Sequence, residues 1–141
     1  MRLLATLFIS FSLLSLSAQA EDYLQIENPW VRAAPPNARV MGGFLTIKNP
    51  SEYTIWITGA SSPQFEDVEL HESSEEDGIS RMFRLNFIKL TPGETVNFKP
   101  FGKHLMLFTP KQPLKPGSEV HFVLKLGNGD LVKFMAPVKK P

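Results

Sequence analysis

The 141-residue sequence contains no cysteine. No disulfide can brace it, no thiolate can hold a metal, and no lipid can be attached to a cysteine behind an export signal. It has no surplus of one charge either: 15 Lys and Arg stand against 14 Asp and Glu, a formal net charge of +1. That balance argues against nucleic acid or an anionic membrane as the main partner. The chain lacks a long hydrophobic run. The most apolar stretch, Leu3 to Leu16, is interrupted by Thr6, Ser10, Ser12 and Ser15, and it falls short of the ~20 residues that span a bilayer. No amphipathic helix of useful length can be traced. No G-x-S-x-G elbow, metalloprotease helix or nucleotide-binding loop is written in the chain, so no enzyme activity is expected.

What is present begins with a targeting signal. Arg2 precedes the apolar stretch, and Ala18-Gln19-Ala20 follows it as a small-x-small cleavage site. Residues 1–20 therefore read as a cleaved signal peptide, with Glu21 as the first mature residue and the periplasm as the destination. Residues 21–141 are one domain's worth of chain, long enough to fold around a core without disulfides.

That domain reads as all-β. Pro and Gly punctuate short segments every ten residues or so, the pattern of a sandwich or barrel. The expected strands are Tyr23–Glu27, Gly43–Lys48, Thr54–Gly59, Val68–Glu72, Ser80–Asn86, Glu94–Lys99, His104–Phe108, Glu119–Leu126 and Leu131–Ala136. Turns are expected at Asn49-Pro50-Ser51, Thr91-Pro92-Gly93, Pro100-Phe101-Gly102, Lys115-Pro116-Gly117 and Gly127-Asn128-Gly129, the last a hairpin signal. Glu72 to Gly78 reads as a polar, acidic connector. Val120, Phe122, Leu124 and Leu126 share one strand face, with His121 and Lys125 on the other.

There are 3 histidines and 5 methionines. His104-Leu105-Met106 lies in an expected strand, where alternation puts His104 and Met106 on one face, roughly 6–7 Å apart. His71 lies opposite in parity to Val68 and Leu70, and together with Glu69. Met82 lies opposite in parity to Phe83, Leu85 and Phe87, in the company of Ser80, Arg84 and Asn86. Glu69 beside His71 is either a group that fixes the imidazole tautomer or, the plainer reading, a solvated charge. Met41, Met135 and His121 read as packing and surface residues. Trp30, Phe101 and Phe108 read as core or rim aromatics.

The layout is His71, ten residues, Met82, 21 residues, then His104-x-Met106. In this spacing, the chain resembles the periplasmic copper chaperone family often called PCuAC. The segments Asn28-Pro29-Trp30-Val31-Arg32-Ala33, Ala60-Ser61-Ser62-Pro63, Val68-Glu69-Leu70-His71-Glu72, His104-Leu105-Met106-Leu107 and Lys111-Gln112-Pro113-Leu114 agree with it. The resemblance implies a cupredoxin-like Greek-key β-sandwich. It implies one Cu(I) per domain, held by His71, Met82, His104 and Met106. It also implies delivery to a copper-accepting protein, such as the copper subunit of cytochrome c oxidase or a thioredoxin-fold copper protein. A monomer with no stable membrane anchor is expected.

The donor chemistry points the same way. Thioethers are soft and neutral and favour Cu(I) over hard divalent ions. Four neutral ligands leave a site of charge +1, which suits a monovalent ion. A blue-copper centre needs a cysteine thiolate, and this chain has none. The competing reading is an exported β-sandwich module that recognises protein or glycan, with no role for metal. Imidazole nitrogen binds either a proton or copper, and histidine ordinarily titrates near pH ~6.5. Cu(I) affinity measured against a competing chelator should therefore fall as the pH is lowered from 7 towards 5. A flat profile would exclude the histidines as ligands.

Overall fold

The computed structural model describes residues 24–141. The expected signal peptide, residues 1–20, and Tyr23, where the first strand was expected to begin, lie outside the described residues. The strands are β1 (Gln25–Arg32), β2 (Val40–Lys48), β3 (Ile55–Ser61), β4 (Phe65–Glu76), β5 (Ile79–Arg84), β6 (Ile88–Leu90), β7 (Thr95–Phe98), β8 (Lys103–Pro110), β9 (Glu119–Leu126) and β10 (Leu131–Lys139). Hydrogen bonds join all ten into one sheet in the order β5-β4-β8-β7-β2-β1-β10-β9-β3-β6. A pairing of Ala60 in β3 with Val68 in β4 closes the sheet on itself like a barrel. β5 and β6 hang from the closed part as edges.

Alternation builds this shell. In β9, Val120, Phe122, Leu124 and Leu126 are buried while His121 and Lys125 are exposed. In β4 and β8, Val68, Leu70, Leu105 and Leu107 point into the core. β2 changes partner midway, pairing with β8 over Val40–Gly43 and with β7 over Leu45–Lys48. Gly43 faces Leu105 there, and a Cβ on Gly43 would lie 3.3 Å from the Leu105 Cβ. The absent side chain lets the two strands close over the core.

The elements differ from the sequence reading in three places. β1 runs through Asn28-Pro29 to Arg32, because a bulge between Glu27 and Trp30 absorbs the proline. Asn28 takes φ 48° in it, and a bulge tolerates a missing N–H. The acidic segment 72–78 is no connector. β4 continues to Glu76, and Asp77-Gly78, at φ 52° and 76°, makes a two-residue hairpin turn into β5. Positive φ at both central residues matches the twist of the flanking strands. The expected strand Ser80–Asn86 ends at Arg84, where the Leu85 N–H turns to the Leu70 carbonyl, and a separate short β6 follows. Phe83 and Phe87 are accordingly exposed, although their parity had marked an apolar face.

Two turns are held by side chains. Glu94 accepts hydrogen bonds from the Thr91 backbone N–H (2.7 Å) and hydroxyl (2.9 Å), which hold its carboxyl below the usual range. Asn49 is the stronger anchor and is 1% exposed. Its amide Nδ2 donates to the carbonyls of Tyr53 (2.7 Å), Leu90 (3.1 Å) and Thr91 (3.1 Å), and its Oδ1 accepts from the Ser51 N–H and hydroxyl. Removing a buried amide strands the carbonyls it served. Asn49→Ala should lower the unfolding free energy by about 2–4 kcal/mol in urea denaturation. A loss within ~0.5 kcal/mol, typical of a surface change, would show that Asn49 does not anchor the turn.

Candidate metal centre

The centre forms on the outer face of β4 and β8. Because Val68, Leu70, Leu105 and Leu107 point inward, His71, His104, Met106 and Phe108 must point outward. The antiparallel register sets His71 directly opposite His104, and Glu69 opposite Met106. The two imidazole centroids are 5.8 Å apart, and the Phe108 ring lies 6.3 Å from that of His71. β5 pairs with the far edge of β4, setting Arg84 opposite His71 and Met82 opposite Ser73. Met82 therefore shares the outer face with both histidines.

Each imidazole is held through one nitrogen. His71 Nε2 meets Glu69 Oε2 at 2.6 Å, and the other oxygen of Glu69 accepts from Arg84 Nη1 at 3.0 Å. The Glu69 side chain is only 16% exposed, so the carboxylate is shielded as well as paired. It fixes the Nε2–H tautomer of His71 and leaves the lone pair on Nδ1. That Nδ1 is buried and has no hydrogen-bond partner. A buried polar atom without a partner is uncommon in a folded protein, and a soft cation would satisfy it. His104 is held the opposite way round: its Nδ1 donates to the Gly102 carbonyl at 3.0 Å, which leaves Nε2 free. The same carbonyl accepts the Ser73 N–H at 3.0 Å and so ties the β7–β8 turn to β4.

Met82, His104 and Met106 line one groove of about 240 Å³, together with Arg32, Met41 and the Ala33-Ala34 loop. His71 does not line this groove and meets the group through its pairing with His104. All four sequence-derived candidates thus occupy one face of three neighbouring strands. They differ in exposure. His104 is 9% exposed on a strand paired along both sides, whereas Met82 is 52% exposed on an edge strand whose every residue is exposed. Among the described residues, no group of three or more His, Asp or Glu side chains is arranged to hold a metal ion. The sulfurs available beside His104 are those of the methionines that line its groove, donors of the kind that suits a soft ion.

Two participants, Arg84 and Gly102, escaped the sequence reading, which leaves Glu69 open between an orienting group and a solvated charge. In the structure Glu69 is the group that orients His71. Arg84 braces it, and the only sequence signal for that was its shared parity with Met82. Gly102 contributes a carbonyl, for which no side-chain signal exists. Trp30 packs on Phe44 at 4.7 Å, and His121 lies across from Met135 on β9 and β10.

A family model described as "Putative lipoprotein LpqE-like" matches residues 24–138. The chain is 29% identical over 119 residues to the "Putative lipoprotein Lxx21020" of Leifsonia xyli subsp. xyli, covering 84% of this chain and 70% of that protein. It is 28% identical over 116 residues to the uncharacterized protein RP573 of Rickettsia prowazekii, covering 73% of this chain and 62% of that protein. It therefore spans less than two thirds of the Rickettsia relative. Among solved structures, the Cu(I) form of DR1885 from Deinococcus radiodurans is similar at TM-score 0.63 and 29% identity, over 89% of this chain and 83% of that one. The copper-bound PCuAC domain from PmoF2 is similar at TM-score 0.70 and 23% identity, over 84% and 94%, a likeness of fold.

The tautomer of His71 is open to measurement. Glu69→Ala should leave the fold intact by circular dichroism but release the Nε2–H preference, seen as mixed tautomers in long-range ¹H–¹⁵N NMR spectra. Cu(I) affinity should fall about 10–100-fold, as is usual when the partner of a ligating imidazole is removed. An unchanged tautomer would rule Glu69 out as the orienting group.

Proposed function

The chain belongs to the LpqE-like family, and from that membership and the arrangement of its outer face we propose that it is an exported Cu(I)-binding metallochaperone. It binds one Cu(I) through His71 Nδ1, His104 Nε2 and the sulfurs of Met82 and Met106, and carries the ion across the periplasm. The observation that carries this reading is the cross-strand histidine pair. Each ring is oriented by a partner on one nitrogen, and on His71 the other is buried without one. Such an arrangement is wasteful for packing and apt for ligation.

The copper-bound state of two structural neighbours supports copper as the metal. The same reading takes the closed sheet as a cupredoxin-like Greek-key sandwich whose halves are bridged at Ala60 and Val68. The histidines and Met106 sit on strands of the rigid shell, while Met82 comes from an exposed edge. Met82 is thus the ligand that exchanges first when an accepting protein offers its own donors. The acceptor is a protein that builds or serves the binuclear copper centre of cytochrome c oxidase, and the chaperone works as a monomer without chemical catalysis.

Titration of the mature protein with Cu(I) against a competing chelator should give one equivalent bound. Met82→Ala should weaken binding by more than about tenfold, roughly 1.4 kcal/mol. His71→Ala should do at least as much, and His104→Ala/Met106→Ala should abolish competition with the chelator. If the unsubstituted protein takes up no stoichiometric Cu(I), the site has been misread, and a non-metal binding module becomes the better account.

A further inference from the structure

Arg32 is the residue of the groove that the reading above leaves unused. It ends β1, and it lines the same 240 Å³ groove as Met82, His104 and Met106. Its guanidinium lies over two aromatic rings, 5.6 Å from the Phe44 centroid and 6.0 Å from that of Trp30. Those rings attract a cation through their faces but carry no charge to cancel it. Among the described residues, Glu69 is matched with Arg84, Glu72 with Lys103 and Glu27 with Lys48, and no carboxylate lies within ion-pair distance of Arg32. Its Nε is buried without a hydrogen-bond partner, and its register partner on β10 is another cation, Lys139. The groove is therefore lined by a cation that no carboxylate among the described residues pairs with.

We infer that Arg32 is a specificity-determining residue that makes the site discriminate against divalent ions. The inference rests on the Cu(I) reading of the groove. Arg32 binds no metal; it acts on the charge of whatever ion is held by the neutral sulfurs and imidazoles. A divalent ion experiences twice the repulsion of a monovalent one. Two unit charges about 10 Å apart at an effective dielectric of about 20 repel enough to shift an equilibrium roughly tenfold. Thioether softness already favours Cu(I), but imidazole accepts Cu(II) and Zn(II) readily, so a site half built of histidine gains from a second filter. A carboxylate partner for Arg32 would remove that filter. The aromatic cradle keeps the arginine in place without one.

The test compares Arg32→Leu and Arg32→Gln, which remove the charge, with Arg32→Lys, which keeps it but loses the planar stacking group. Cu(I) and Cu(II) affinities are measured separately against chelators for each ion, and the potential of the bound copper by redox titration. Both neutral variants should show a Cu(I)-to-Cu(II) affinity ratio reduced about tenfold and a potential lowered by about 59 mV, the one-electron equivalent of tenfold. Arg32→Lys should keep most of both. A ratio unchanged in the neutral variants that still bind Cu(I), or one lost equally in Arg32→Lys, overturns the inference and leaves the ligand assignment standing. Failure of the unsubstituted protein to bind Cu(I) removes the ligand assignment instead, and the inference with it.

Discussion

The register of β4 against β8 is the constraint from which the rest follows. Their pairing sets Leu70 beside Leu105 on the inner face and His71 beside His104 on the outer face. A slip of one residue would turn every side chain of one strand over. In β4 it would bury His71 and Glu69 and expose Val68 and Leu70. The hydrophobic core therefore enforces the geometry of the histidine pair. Because Val68, Leu70, Leu105 and Leu107 are all buried, burial of apolar surface fixes the register, and the pair is positioned without any ion.

Around that pair, charge is arranged unevenly. Arg84, Glu69 and His71 form a chain of close contacts running from β5 through β4, so the edge strand that supplies Met82 also supplies the brace for the nearest imidazole. The carboxylate is engaged at both oxygens and cannot itself approach a metal without breaking those contacts. Arg32, which lines the groove, lies over Trp30 and Phe44, and among the described residues no acid pairs with it. The proposed neutral ligands thus have a paired carboxylate and an unpaired cation near them, the setting on which the inferred preference for a monovalent ion rests.

Rigidity is divided in the same way. β8 is paired with β4 on one side and with β2 on the other, and its histidine is nearly buried. β5 is paired only with β4 and is exposed throughout. Low local contact density is where a folded protein opens most easily. In the proposed carrier, a firmly held and an easily exchanged ligand would come from strands of opposite character. The tight Asp77-Gly78 turn keeps β5 in register while leaving its outer edge unpaired.

The amino-acid pattern alone determined the all-β class, most strand positions, the facing of His71, His104 and Met106 away from the core, and the soft character of the donor set. Those properties are local: alternation has a period of two, turns have their own residue preferences, and donor chemistry belongs to the side chain. The hairpin at Asp77-Gly78 was also legible there, but its acidic neighbours masked it as a loop. Only the tertiary structure decided that His71 faces His104, that the sheet closes at Ala60 and Val68, that Phe83 and Phe87 are exposed, and that Glu69, Arg84 and Gly102 contact the imidazoles or their partners while Arg32 lines the groove beside His104. Those facts depend on which distant strands pair and in which register. Such pairings are fixed by the packing of the whole core, and no segment of the chain carries that information by itself.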